Sequence, residues 1–326
     1  METASKWSQL THRNVALEFI DVTLRGCAQV MFQNNPLTGL LFFIAIFVGA
    51  YGENNPAVAF GSVLGTVAAT FAGLNVKDRT SWKAGLYGYN GCLVGAALPT
   101  FLDVSPILWL CIIMGSVVSV IVTLCIADVL KTWKVAALTA PFVLVTWTLL
   151  LASYAFTELP ANALPAPDLP RELLQSSSAT ASASHFFNGV LNGVSEVFLL
   201  SSLIASLLLL VGLAVESLWA AVFAVCGALL AVLTASVLGA EQSSIDNGMY
   251  AFSAVLTAIA LGSTFNQPSW RVLIYTVIGV IFTVFVQGAL NTLLTPVGIP
   301  TLTMPFVLAS WLFLVPNKEV MPEHRQ

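Results

Sequence analysis

"LTAPFVLVTW" occupies Leu138–Trp147, and "LTMPFVLASW" occupies Leu302–Trp311. Leu, Thr, Pro, Phe, Val, Leu and Trp recur in register at an offset of 164 residues (302 less 138). Each copy sets a proline inside an apolar run. Proline removes a backbone donor and disfavours helix at the residue before it. The phrase therefore predicts that a short half-helix ends and a new helix starts at Pro141 and at Pro305, with Thr139 and Thr303 at the two breaks. For one copy, a simple kink with threonine bonded back to its own helix is the simpler account. Two copies in opposed halves would bring both breaks to one depth.

The medium follows from composition. The chain has 326 residues, 57% hydrophobic and 9% charged, with a mean hydropathy of +0.88. Soluble domains carry about a quarter charged residues, so lipid is the expected solvent, and along nearly the whole chain. Met1 to Asn14 is polar and shows no signal peptide. Cys27, Cys92, Cys111, Cys125 and Cys226 lie singly in apolar stretches and read as small buried hydrophobes. His12, His185 and His324 lie in polar flanks, which argues against an intramembrane metal site or histidine relay. No nucleophile–base constellation is present, so an enzyme is not expected. No cofactor and no nucleic-acid partner are expected either.

Apolar segments fall near 35–51, 55–75, 84–101, 105–127 and 142–157, and again near 202–217, 218–238, 248–265, 271–291 and 306–316. An additional stretch precedes each set (16–34 and 186–201), and another precedes each last segment (134–141 and 298–305). "GLYGYNGCL" (Gly85–Leu93) matches "GMYAFSAVL" (Gly248–Leu256), and "GCAQVMF" (Gly26–Phe32) matches "GVSEVFL" (Gly193–Leu199). Short, interrupted segments at corresponding places in two halves mark a binding or permeation site. The expected architecture is an all-α polytopic membrane protein of two inverted repeats, about five transmembrane helices each, with re-entrant half-helices around a central pore. Residues 1–157 form the first repeat, 158–185 a non-cytoplasmic linker and 186–326 the second repeat.

Basic residues orient it. With both termini inside, Lys6, Arg13, Lys77, Arg79, Lys83, Lys131, Lys134, Arg271, Lys318 and Arg325 all fall inside. The outside loops 239–247 and 292–300 hold no Lys or Arg; Arg171, in the long linker, is the exception. Gln29 and Glu196 stand at equivalent positions beside Val30 and Val197. A carboxylate inside a membrane is a functional candidate by default, and a Glu bonded to backbone at a helix start is the equally weighted, compatible reading.

"LRGCAQVMFQNNPLTGL" (Leu24–Leu40), "GLYGYNGCLVG" (Gly85–Gly95) and the paired "LTAPF" and "PTLTMPF" phrases resemble the urea transporter family. The resemblance spans Arg13 to Pro316 and implies a homotrimer in a cell membrane, each protomer with its own passive, channel-like urea pore. It implies one slot of Val30, Phe32, Tyr89 and Leu93, and another of Val197, Leu199, Phe252 and Leu256. Thr139 and Thr303 become the central pair, with Gln29 and Glu196 as nearby polar positions. Two departures stand out: Leu199 and Tyr89 each take the place of a phenylalanine. The alternative is a proton- or ion-coupled secondary transporter of a small neutral amide, with Glu196 as the coupling site.

Overall fold

The computed structural model describes residues 11, 14–161, 163–168 and 183–316. Lys6, Arg13, Arg171, Lys318 and Arg325, and with them His12 and His324, lie outside the described residues. Among those described, the regular structure is helical, with no strand.

The first series is α1 (Val15–Gln29), α2 (Pro36–Gly52), α3 (Pro56–Gly73), the short α4 (Arg79–Lys83), α5 (Tyr89–Phe101), α6 (Pro106–Leu130) and α7 (Ala140–Ser153). The second is α8 (Ala183–Ser195), α9 (Leu203–Glu216), α10 (Leu218–Val237), α11 (Gln242–Asp246), α12 (Phe252–Ile259), α13 (Trp270–Leu294) and α14 (Met304–Leu314). The series correspond element by element, and α6 and α13 are both 25 residues long.

The backbone repeats in finer detail. Left-handed residues recur in register: Phe32 with Leu199, Gly85 with Gly248, Lys134 with Gly298, and Leu138 with Leu302. Phe32, Leu138, Leu199 and Leu302 have φ of 63°, 52°, 58° and 50°. Bulky residues avoid that region because Cβ crowds the carbonyl oxygen. Their pairing therefore reflects a shared local geometry.

Helix starts leave N–H groups without partners, and lipid offers no water to satisfy them. The sequence supplies caps instead. Asn35 accepts from Leu37 N, Ser105 from Leu108 N, Ser202 from Ala205 N, Ser217 from Ala220 N and Ser269 from Val272 N. Proline opens α2, α3 and α6, where its missing donor costs nothing.

Among the described residues, four helical stretches are long and apolar enough to cross a bilayer: Pro56–Gly73, Pro106–Trp133, Leu218–Val237 and Trp270–Val297. His185–Phe198 and Leu203–Glu216 form a fifth if taken together, bent by 72° at the break between them. α2, α7, α12 with its π-turn, and α14 are apolar but shorter. At ~1.5 Å rise per residue, α7 and α14 reach only part of the ~30 Å hydrocarbon thickness.

The expected half-helices before Pro141 and Pro305 are corrected here. Each upstream stretch is a single 3₁₀ turn (Lys131–Trp133, Thr295–Val297), then a left-handed residue, then non-helical backbone to Thr139 or Thr303. Pro141 and Pro305 sit in the first turn of α7 and α14. There proline begins a helix; it does not end one.

Candidate functional site

The two copies of the repeated phrase meet. Thr139 Oγ1 and Thr303 Oγ1 are 2.6 Å apart, and both residues are buried. Each threonine is the N-cap position of its short helix. A second pair of contacts exchanges between the halves. Trp147 Nε1 donates to the Pro300 carbonyl at 2.8 Å, and Trp311 Nε1 donates to the Ala136 carbonyl at 3.0 Å. Trp147 matches Trp311 and Ala136 matches Pro300 in the repeat. Such reciprocity, i to j and j to i, is what a two-fold relation produces. The tryptophans end the quoted phrases, yet sequence reasoning assigned them no part; their recurrence was the available signal.

One cavity of ≈ 790 Å³ reaches this centre. Glu196, Val197, Leu199, Phe252 and Thr303 line it together. Leu256, one helical turn beyond Phe252, is fully buried and does not line it. The lining also draws on three separate segments, with Pro165, Ala166 and Asp168 from the 158–185 stretch, Gly239–Glu241, and Thr292, Thr295 and Ile299. No Lys or Arg lines the cavity among the described residues. An anion therefore finds no countercharge there.

Glu196 opens a 3₁₀ turn directly after α8, and its Oε2 accepts from Ser201 Oγ at 3.3 Å. Its neighbour Glu53 accepts from Ser201 N. Gln287 is buried beside the cavity; its Nε2 donates to Thr301 Oγ1 at 2.8 Å and to Asn291 Oδ1 at 2.9 Å. These bonds hold the backbone two residues before Thr303. Nothing in the periodicity of α13 distinguished Gln287 from the rest of an apolar helix.

The residues expected in the other slot lie on α1, α5 and the turn between α1 and α2. Gln29 ends α1, and its Nε2 donates to the Ala84 carbonyl at 2.8 Å. Val30 and Leu93 are buried. The Phe32 ring meets Phe265 at 5.9 Å and Phe306 at 6.0 Å between centroids, both edge-on. Phe306 belongs to the second repeated phrase, so the Phe32 ring connects the first half to α14. Tyr89 opens α5, and its hydroxyl donates to the Leu138 carbonyl at 2.6 Å. Asn90, absent from the sequence candidates, accepts from Phe142 N at 3.2 Å, so it caps α7 from another helix.

Chemically, the central pair is both donor and acceptor. One hydroxyl hydrogen lies between the two oxygens, and the second remains to donate, while lone pairs on both oxygens remain to accept. The surrounding lining of Val197, Leu199, Phe252 and Leu302 is uncharged.

Helices with apolar outer faces, several of them long enough to cross a bilayer, define a multi-pass membrane protein. The urea transporter family model matches residues 20–318, and the chain belongs to that family. It is 28% identical over 333 aligned positions to urea transporter 1 of Ovis aries, covering 99% of this chain and 84% of the relative. It is 27% identical over 325 positions to urea transporter 1 of Rattus norvegicus, covering 98% and 82% respectively. The chain is accordingly a transporter and not an enzyme.

Proposed function

We propose that this chain passes urea down its own gradient through a narrow filter centred on Thr139 and Thr303. The observation that carries the reading is the hydroxyl contact between two threonines that the sequence repeats, beside a cavity whose described lining holds no basic residue. Urea is planar and neutral, with N–H donors along its edges and one acceptor oxygen. Removing its water is costly unless other hydrogen-bonding groups replace it. Rings and branched aliphatics suit its faces, and hydroxyl and carbonyl oxygens suit its edges.

The halves are read as inverted repeats, 1–157 and 186–326, joined by a non-cytoplasmic linker at 158–185, with both termini cytoplasmic. Support comes from the lining of the cavity. Its linker, Gly239–Glu241 and Thr292–Ile299 segments are the ones that basic-residue placement puts on one side. A homotrimer in the cell membrane is carried over from the resemblance. Cysteines introduced beside Lys77 are expected to be labelled from the cytoplasm, and those in the linker from outside. Labelling of both from one side would remove the inverted topology.

The competing reading makes Glu196 a coupling carboxylate, because it lines the cavity. Urea flux into proteoliposomes, measured with and without an imposed pH gradient, separates the two. Equal initial rates and no proton uptake are expected. Proton movement stoichiometric with urea would transfer the mechanism to Glu196.

A further inference from the structure

The filter segments before Thr139 and Thr303 match in sequence position, yet their carbonyl oxygens are not occupied alike. A complete accounting is possible, because each backbone carbonyl is an acceptor that needs a partner. In the first half, Ala136 O accepts from Trp311 Nε1, Ala137 O from Ala140 N at 3.3 Å, and Leu138 O from the Tyr89 hydroxyl. In the second half, Pro300 O accepts from Trp147 Nε1 and Thr301 O from Met304 N at 3.2 Å. Leu302 O takes no hydrogen bond from the described residues. Its matched donor would come from position 252, where Phe252 has no hydroxyl. Leu302 and Phe252 both line the cavity.

We propose that Tyr89 is a specificity-determining residue: its hydroxyl already takes one lone pair of the Leu138 carbonyl, so the filter presents a free backbone oxygen on the Leu302 side of the threonine pair and a partly occupied, weaker acceptor on the Leu138 side. This rests on the urea reading above and deepens it. An N–H group arriving at Leu302 meets a bare amide carbonyl, a strong acceptor. On the other side it meets the phenol oxygen of Tyr89 and a carbonyl that already accepts one hydrogen bond, both weaker acceptors. A permeant with N–H donors on both edges feels the difference more than one with a single amide nitrogen.

The test uses the full-length protein in proteoliposomes. Urea is the permeant, and formamide is the planar comparison with half as many N–H donors. Tyr89→Phe opens the Leu138 carbonyl. The urea permeability per protein and the urea-to-formamide ratio are expected to rise about three- to tenfold, the scale of one hydrogen bond. Phe252→Tyr places a hydroxyl opposite Leu302 and is expected to lower both by a similar factor. The double variant Tyr89→Phe/Phe252→Tyr exchanges the free and partly occupied sides and is expected to return near wild type. Opposite directions in the two single variants are not what a purely structural role gives. Equal slowing in both, or unchanged ratios in both, would overturn the proposal. If Tyr89→Phe does not reach the membrane, Phe252→Tyr decides alone, and an unchanged ratio there overturns it. Wild-type vesicles without protein-dependent urea flux would instead refute the transport reading itself.

Discussion

Replacing Thr139 by valine is expected to slow urea efflux by about one to two orders of magnitude, and Thr303→Val to do the same. Valine keeps the volume of threonine and deletes the oxygen. The hydroxyls are buried and 2.6 Å apart, so each substitution breaks the shared hydrogen bond and, on the proposed reading, removes a partner from the permeant. An unmade hydrogen bond to a buried polar group costs about 1–3 kcal/mol, and each ~1.4 kcal/mol on a barrier is a factor of ten in rate. Residues that share a hydrogen bond are not additive, so the double variant is expected to fall short of the product of the two single effects. Thr146→Val is the control. Thr146 is fully buried on α7, and its hydroxyl has no partner, so deleting it is near neutral. Stopped-flow efflux at matched protein levels makes the comparison. Wild-type rates in both single variants would reduce the repeated phrase to a helix-start motif.

The pair of threonines was legible because a chain rarely repeats seven of ten residues in register by accident, and because proline announces a break wherever it stands. What the proline could not announce was the backbone on its near side. The sequence reading placed a half-helix before Pro141; the structure has a 3₁₀ turn and non-helical chain. The groups that occupy that chain's carbonyls come from Tyr89 and Trp311, 49 and 175 residues distant along the sequence. Hydrogen bonds of that range leave no mark in a local pattern. Gln287 was missed for a related reason: a polar residue among several on a long, largely apolar helix acquires meaning only from Thr301, beyond that helix. Helix existence was easier. The caps Ser105 and Ser269 and the apolar runs behind them are local, and α6 and α13 begin close to where those signals lie.

Gly95→Leu is expected to cost about 3 kcal/mol of stability or more and to abolish urea flux in whatever protein still folds. α3 carries Gly61 and Gly65, and α5 carries Gly91 and Gly95, both at four-residue spacing. The four interlock. A Cβ on Gly61 would overlap the Gly95 carbonyl and one on Gly95 the Gly61 carbonyl; Gly65 and Gly91 oppose each other in the same way. Helices in lipid gain little from hiding apolar surface, so close backbone approach through small residues supplies much of their attraction. A leucine at position 95 forces α3 and α5 apart in a core that tolerates little extra volume, and overpacking on this scale costs at least the upper part of the usual ~1–3 kcal/mol range because backbone, not a side-chain tip, must move. The consequence extends to the filter, since α5 also carries Tyr89 and Leu93. Moving it withdraws Asn90 from Phe142 N and so disturbs the start of α7, where Thr139 sits. Gly52→Ala is the comparison, because a Cβ there meets nothing within 4 Å. The thermal midpoint in detergent and stopped-flow flux after reconstitution are the two measurements. A Gly95→Leu protein with the wild-type midpoint would show that α3 and α5 are not held by this contact. A destabilised protein that conducted at the wild-type rate would separate helix packing from the geometry of the filter.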